Sequence, residues 1–238
     1  MNFKILKSKL SEPLSLLASV AESRQSIPIL SNIFIKAEKD LITLIATDLE
    51  IELSFKIDCD DVLEPGETTV SARKIFDLTR SLPDETSLEF MLKENQLIVT
   101  ALKFNGEFAI LPIQDFPVVE IEKFDLETTL NGKVFADLID QTSFAMASQD
   151  VRYYLNGILV EIEGSNVNLV ATDGHRLAWA SETLEKDLEE NKLILPRKSA
   201  LELQKLLNLY PGEVNLSFSS NQILISSDEF RFVSKLIE

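Results

Sequence analysis

Ile45-Ala46-Thr47-Asp48 and Val170-Ala171-Thr172-Asp173 are one motif written twice, 125 positions apart. The surroundings repeat with it. Leu30-Ser31-Asn32-Ile33-Phe34-Ile35 answers Leu155-Asn156-Gly157-Ile158-Leu159-Val160 at the same offset. Ala72-Arg73-Lys74 answers Pro196-Arg197-Lys198, one residue out of step. Self-similarity over so long a period means two copies of one unit, each the size of a small domain. It points to a pseudo-symmetric assembly more than to one deep active site.

The pattern within each copy is α+β. In the first, alternation over 2–7 reads as a strand, and Ser8 is placed to cap a helix carrying Leu10, Leu14, Leu17 and Ala21 on one stripe. Residues 33–37, 41–46 and 51–57 read as β. A helix is predicted over 71–82, then strands over 88–90, 96–102 and 107–111. The second copy runs in the same order. A strand over 126–130 precedes a helix over 132–147. Strands follow over 158–162, 166–171, 175–181 and 192–195, then a helix over 196–209. Strands over 214–218, 222–226 and 230–236 close the copy. Each unit is thus two helices packed on antiparallel sheets, with a boundary between 1–119 and 120–238.

Composition narrows the function classes. The chain has 238 residues, 45% of them hydrophobic, enough for two cores. No apolar run is long enough to span a bilayer. Met1 to Lys7 lacks the apolar block of a signal peptide. Cys59 is the single cysteine. These features suit a reducing cytoplasm. The net charge of −16 is shared about evenly by the halves and argues, taken as a sum, against nucleic acid. Its distribution says otherwise. The windows 8–24, 71–82, 132–147 and 196–209 carry 0, +2, −1 and +2, while everything else carries −19. Arg73, Asp77 and Arg80 share a helix face at i, i+4, i+7, and so do Lys198, Glu202 and Lys205. Solvated faces with intrahelical ion pairs account for these triads equally well.

Catalysis and metal chemistry find little support. Asp173-Gly174-His175-Arg176 is the one place where an acid, a glycine and the sole histidine meet. No serine or cysteine nucleophile motif accompanies it, and the first copy has Asp48-Leu49-Glu50-Ile51 in the same slot. One histidine and one cysteine do not make a zinc site, and no phosphate-binding glycine motif occurs. We therefore expect no catalytic residues, no metal and no cofactor. Asp173-Gly174 also fits a tight turn whose Asp bonds local backbone. Tyr153 and Tyr154 would face opposite ways on a strand, or both outward in a loop.

The strings Gln149-Asp150-Val151-Arg152-Tyr153-Tyr154-Leu155-Asn156-Gly157 and Val170 to Ala178 resemble the second domain of the bacterial DNA polymerase III β subunit, the β sliding clamp. Ser26 to Asn32 and Ala46 to Glu50 resemble its first domain, and the likeness runs end to end. The resemblance implies a non-enzymatic processivity factor of the bacterial cytoplasm. Its members carry three such domains and close head to tail as a homodimer ring around double-stranded DNA. The implied DNA-facing residues are Arg24, Arg73, Gln149, Tyr153, Tyr154, Arg197 and Lys198. The implied groove for partner peptides, from DNA polymerase III subunits, the clamp loader and other proteins with clamp-binding motifs, is built from Leu155, Thr172, Gly174, His175, Arg176 and Leu177. Ring closure falls to an edge near Lys74, Lys103, Phe104 and Phe108. A third domain is not present in the sequence, so the expectation is a chain trimmed at a domain boundary. The alternatives are a two-domain clamp that trimerises, or a truncated regulatory form that binds clamp partners without encircling DNA.

Overall fold

The computed structural model describes residues 1–21, 27–59, 61–120, 123–124 and 126–237. The chain forms two compact units, Met1–Val119 with Asp228–Arg231, and Glu120–Ser227 with Phe232–Glu238. The architecture is α+β, with four helices on antiparallel sheets among the described residues.

In the first unit β1 (Asn2–Leu6) runs straight into α1 (Lys7–Val20). The helix starts one residue ahead of the serine expected to cap it, and no side chain caps it. The Lys7 amide instead donates to the Thr86 carbonyl at 2.8 Å, so a neighbouring loop does the cap's work. The strands β2 (Asn32–Glu38), β3 (Leu41–Thr47) and β4 (Ile51–Asp58) follow. Two strands that pattern reading missed come next, β5 (Asp61–Glu64) and β6 (Gly66–Ser71). Both are short, and neither carries an apolar alternation to betray it. Then come α2 (Ala72–Ser81), β7 (Ser87–Lys93), β8 (Gln96–Ala101) and β9 (Phe104–Ala109). The last begins three residues before the predicted 107–111. One sheet has the order β5-β1-β7-β8-β9, and a second strand run has the order β4-β3-β2-β6. The core between layers includes Phe3 stacked on Phe90 at 4.8 Å, with Leu14, Leu17, Leu30, Ile33 and Ile35 buried.

The second unit repeats this plan. It comprises β10 (Leu126–Asn131), α3 (Gly132–Ser143), β11 (Gly157–Thr172), β12 (Leu177–Pro196), α4 (Arg197–Leu209), β13 (Glu213–Phe218), β14 (Gln222–Ser226) and β15 (Phe230–Lys235). The order β10-β13-β14-β15 matches β1-β7-β8-β9. The four short strands expected between the helices are two long ones, irregular in register near Ile162, Gly164 and Asn166. α3 ends at Ser143, earlier than expected. Thr142 turns its hydroxyl back onto the Leu138 carbonyl, and the Ala147 amide leaves the helix to bond Leu155.

Register makes the repeat quantitative. Asn32 pairs with Ser71 as Gly157 pairs with Pro196, and Thr47 faces Glu52 as Thr172 faces Leu177. α2 then starts at Ala72 and α4 at Arg197, the same offset. Arg73 therefore corresponds to Lys198. Pairing Arg73 with Arg197 is one residue out of step, because Arg-Lys occurs at both sites.

The motif itself is a repeated turn. Thr47 Oγ1 donates to the Ile51 carbonyl and accepts from the Leu49 amide, and Asp48 Oδ1 accepts from the Glu50 and Ile51 amides. Thr172 and Asp173 make the same four bonds to Arg176, Gly174, His175 and Arg176. The residue after each aspartate has a positive φ, +78° at Leu49 and +87° at Gly174. Glycine takes that conformation freely, whereas leucine is strained there by about 1–2 kcal/mol. Leu49 is 39% exposed, so it recovers little by burial. We expect Leu49→Gly to raise unfolding stability by up to about 1 kcal/mol after the unfolded-state entropy of glycine is subtracted. A chemical denaturation series measures it, and a clear loss of stability would mean that the side chain has a partner of its own.

Candidate nucleic-acid interface and peptide groove

Two surfaces of the second unit gather the residues singled out by sequence. The first is an open groove of about 640 Å³ beside the start of α4. Gln149, Asn156, Arg197, Lys198, Leu201, Glu202 and Lys205 are among its lining residues. A knot of hydrogen bonds holds its loop. The Asp150 amide donates to Asn156 Oδ1 at 3.0 Å, and Asn156 Nδ2 donates back to the Asp150 carbonyl at 2.9 Å. The knot lets Gln149 sit at φ +58°. Arg197 is anchored at both ends: its amide donates to the Asn156 carbonyl and Nη1 to the Met146 carbonyl. Lys205 pairs with Glu202 at 2.8 Å. Tyr153 and Tyr154 lie next to this loop in a 3-10 turn, edge to face at 6.1 Å and both exposed. The turn, and no strand, decides that both rings reach solvent.

In the first unit, Arg73 and Lys74 are exposed near the start of α2. Arg24 lies outside the described residues. Among the described residues no group of His, Cys, Asp and Glu is arranged to hold a metal ion, and no helix is long and apolar enough to cross a membrane.

The second surface is built on the turn between β11 and β12. Leu155 and Thr172 are half-buried, while Gly174, His175, Arg176 and Leu177 are exposed. Leu177 is 65% exposed. Sequence pattern missed three neighbours. Trp179 shares the outer face of β12 with Leu177 and is 64% exposed. Phe144, at the end of α3, has the Arg176 guanidinium 5.6 Å above its ring. Arg152 approaches Gly174 so closely that a Cβ there would sit 3.3 Å from its Nη2. No periodicity in the sequence marks Phe144 or Trp179 as surface residues.

Electrostatics pin both loops. Arg152 holds the Asp150 carboxylate through Nε at 3.0 Å and Nη2 at 2.9 Å, and its amide adds a third bond. Those bonds bring the Asp150 pKa down to about 2. The His175 and Arg176 amides, then the Arg176 guanidinium at 3.0 Å, likewise keep Asp173 below the ordinary carboxylate range.

The profile of the N-terminal domain of the DNA polymerase III β subunit matches residues 1–120, and that of its central domain matches residues 129–238. The chain belongs to this family. It is 42% identical over its whole length to the β sliding clamp of Pseudomonas aeruginosa and 36% identical to that of Escherichia coli. It spans 65% of the length of each. Its fold overlays a crystal structure of the P. aeruginosa clamp bound to griselimycin with a TM-score of 0.96, covering all of this chain and 65% of that one. A Caulobacter crescentus sliding clamp, 31% identical, gives 0.93 over all of this chain and 66% of that one.

The bonds around Asp150 carry a pH signature. A carboxylate whose folded pKa is depressed adds stability above its unfolded value, near 4, and loses it as pH falls through the folded value. The Asp150–Arg152 link should survive at pH 3, where free aspartates are mostly protonated, and break only near pH 2. Carboxyl NMR titration reads this directly. An Asp150 midpoint near 4 would show that the bidentate contact does not persist in solution.

Proposed function

We propose that this chain acts as part of a sliding clamp, a non-enzymatic ring that surrounds duplex DNA and tethers replication proteins to it in the bacterial cytoplasm. The observation that carries the reading is the groove that collects Gln149, Arg197 and Lys198 around a pinned loop on a chain of the β-subunit family. Phosphate contacts position without reading sequence, and cations at helix starts with polar and aromatic loop residues suit that task. Arg24, Arg73, Tyr153 and Tyr154 complete the proposed DNA-facing set.

The surface of Leu155, Thr172, Gly174, His175, Arg176 and Leu177 is proposed to receive apolar anchors of short peptides from DNA polymerase III subunits, the clamp loader and other partners. An exposed leucine beside a turn whose glycine carries no side chain offers the apolar contact such a peptide needs. Ring closure into a homodimer is assigned to the free edge of β9. Among the described strands β9 pairs only with β8, and Leu102 and Phe104 are exposed beside Lys103. An unpaired edge with apolar side chains invites a second strand. Phe108 and Lys74 belong to the same proposed contact.

Fluorescence anisotropy with a short duplex at low salt tests the DNA assignment. Arg73→Ala and Lys198→Ala should each weaken binding and each lower the slope of log affinity against log salt by about 0.9. An unchanged slope in both variants would reject it. For the peptide surface, Leu177→Ala should weaken a clamp-binding peptide by about 1–2 kcal/mol in calorimetry. It should leave the melting temperature almost unchanged, since the side chain is mostly exposed already. Peptide affinity indifferent to this change removes Leu177 from the site.

A further inference from the structure

On α2, Phe76 lies between two guanidiniums, with Arg73 5.9 Å and Arg80 5.6 Å from its ring centroid. Asp77 engages both arginines unequally. Arg73 Nε donates to Asp77 Oδ2 at 2.9 Å, while Arg80 Nη2 stands 3.9 Å from Oδ1. That Oδ1 is shielded from solvent and accepts no hydrogen bond among the described residues. Both arginines are otherwise exposed. An aromatic ring and a carboxylate thus gather two cations that would repel each other if left alone.

We propose that Asp77 is a resident competitor for the phosphates that Arg73 and Arg80 would otherwise grip. It occupies one edge of Arg73, holds Arg80 loosely, and leaves the cluster with one net positive charge, so that contact with a duplex backbone stays weak and quickly exchanged. Arg80 thereby joins Arg73 as a phosphate-contacting residue, and Asp77 and Phe76 are positioning residues. The inference rests on the reading of α2 as a DNA-facing helix. Charge complementarity selects the occupant: a planar donor pair on an otherwise acidic chain suits an extended polyanion.

The test is duplex binding by the 238-residue chain, followed by anisotropy across a salt series. Asp77→Asn should tighten binding about two- to threefold and steepen the salt slope by up to about one unit, as freed guanidinium edges take up phosphate. Asp77→Glu keeps the charge and should stay near the parent. The tightening should vanish when Asp77→Asn is made with Arg73→Ala and Arg80→Ala. If Asp77→Asn leaves affinity and slope unchanged or weakens binding while Arg73→Ala still weakens it, the competitor role is overturned and the DNA-facing reading stands. Tightening that persists without the arginines would mean a general charge effect and also overturns the proposal. If Arg73→Ala and Lys198→Ala both leave binding untouched, the DNA-facing reading falls and takes the proposal with it.

Discussion

A single aspartate oxygen that accepts two consecutive backbone amides sets the geometry of each unit. At Asp48 and again at Asp173 the carboxylate satisfies the two N–H groups that a sharp reversal leaves without partners, while the preceding threonine ties its hydroxyl across the same turn. The bond pattern allows one register of the flanking strands. Because side chains alternate along a strand, that register decides which residues face the core and which face water. A slip by one residue would bury Leu177 and Trp179 and turn Ala178 and Ala180 outward. The proposed peptide surface is therefore a consequence of the turn. It exists because the turn leaves no freedom to hide those side chains.

The same device runs at different cost in the two copies. The second unit places glycine at the left-handed position, and the space above it is taken by Arg152. The first unit places leucine there and accepts strain. With no side chain at Gly174 the Arg152 guanidinium packs over the turn, where a leucine side chain would stand in its way. A repeated scaffold permits duplicated geometry with divergent surface chemistry.

Much of this is legible in the sequence. The constant offset carried the duplication, and apolar stripes placed all four helices with their starts right to within a residue or two. β5 and β6 escaped because Asp61–Glu64 and Gly66–Ser71 carry charges and threonines where a strand signal would need alternation. α3 stops short of the expected 147, and Phe144 just past its end is not part of the core. It is exposed and lies under Arg176, so its hydrophobicity serves the surface. The site residues were legible only through their resemblance to a family. Period-two alternation does not choose a face for Leu177, because Leu177 to Ala180 are all apolar; the register set at the turn places it outward. Arg152, Phe144 and Trp179 carry no sequence signal, because their roles depend on contacts between separate elements.

The acidity of the whole chain and the cations of α2 and α4 are compatible for a reason of length scale. At physiological salt, charges separated by more than about 8 Å are largely screened from one another. A phosphate brought to the start of α4 would sense Arg197, Lys198 and Lys205, with Glu202 as the nearby acid, far more than the distant carboxylates that make the sum −16. The helix contributes in the same direction, since its first-turn amides and the positive end of its dipole favour an anion there. Net charge then governs solubility and repels polyanions from most of the surface. Local charge governs what an anion would meet at the start of α4. An acidic protein with a few paired cations is thus better suited to a loose grip on a polyanion than a basic one. A basic surface would hold phosphate everywhere, whereas here attraction is confined to helix faces whose own carboxylates already blunt it.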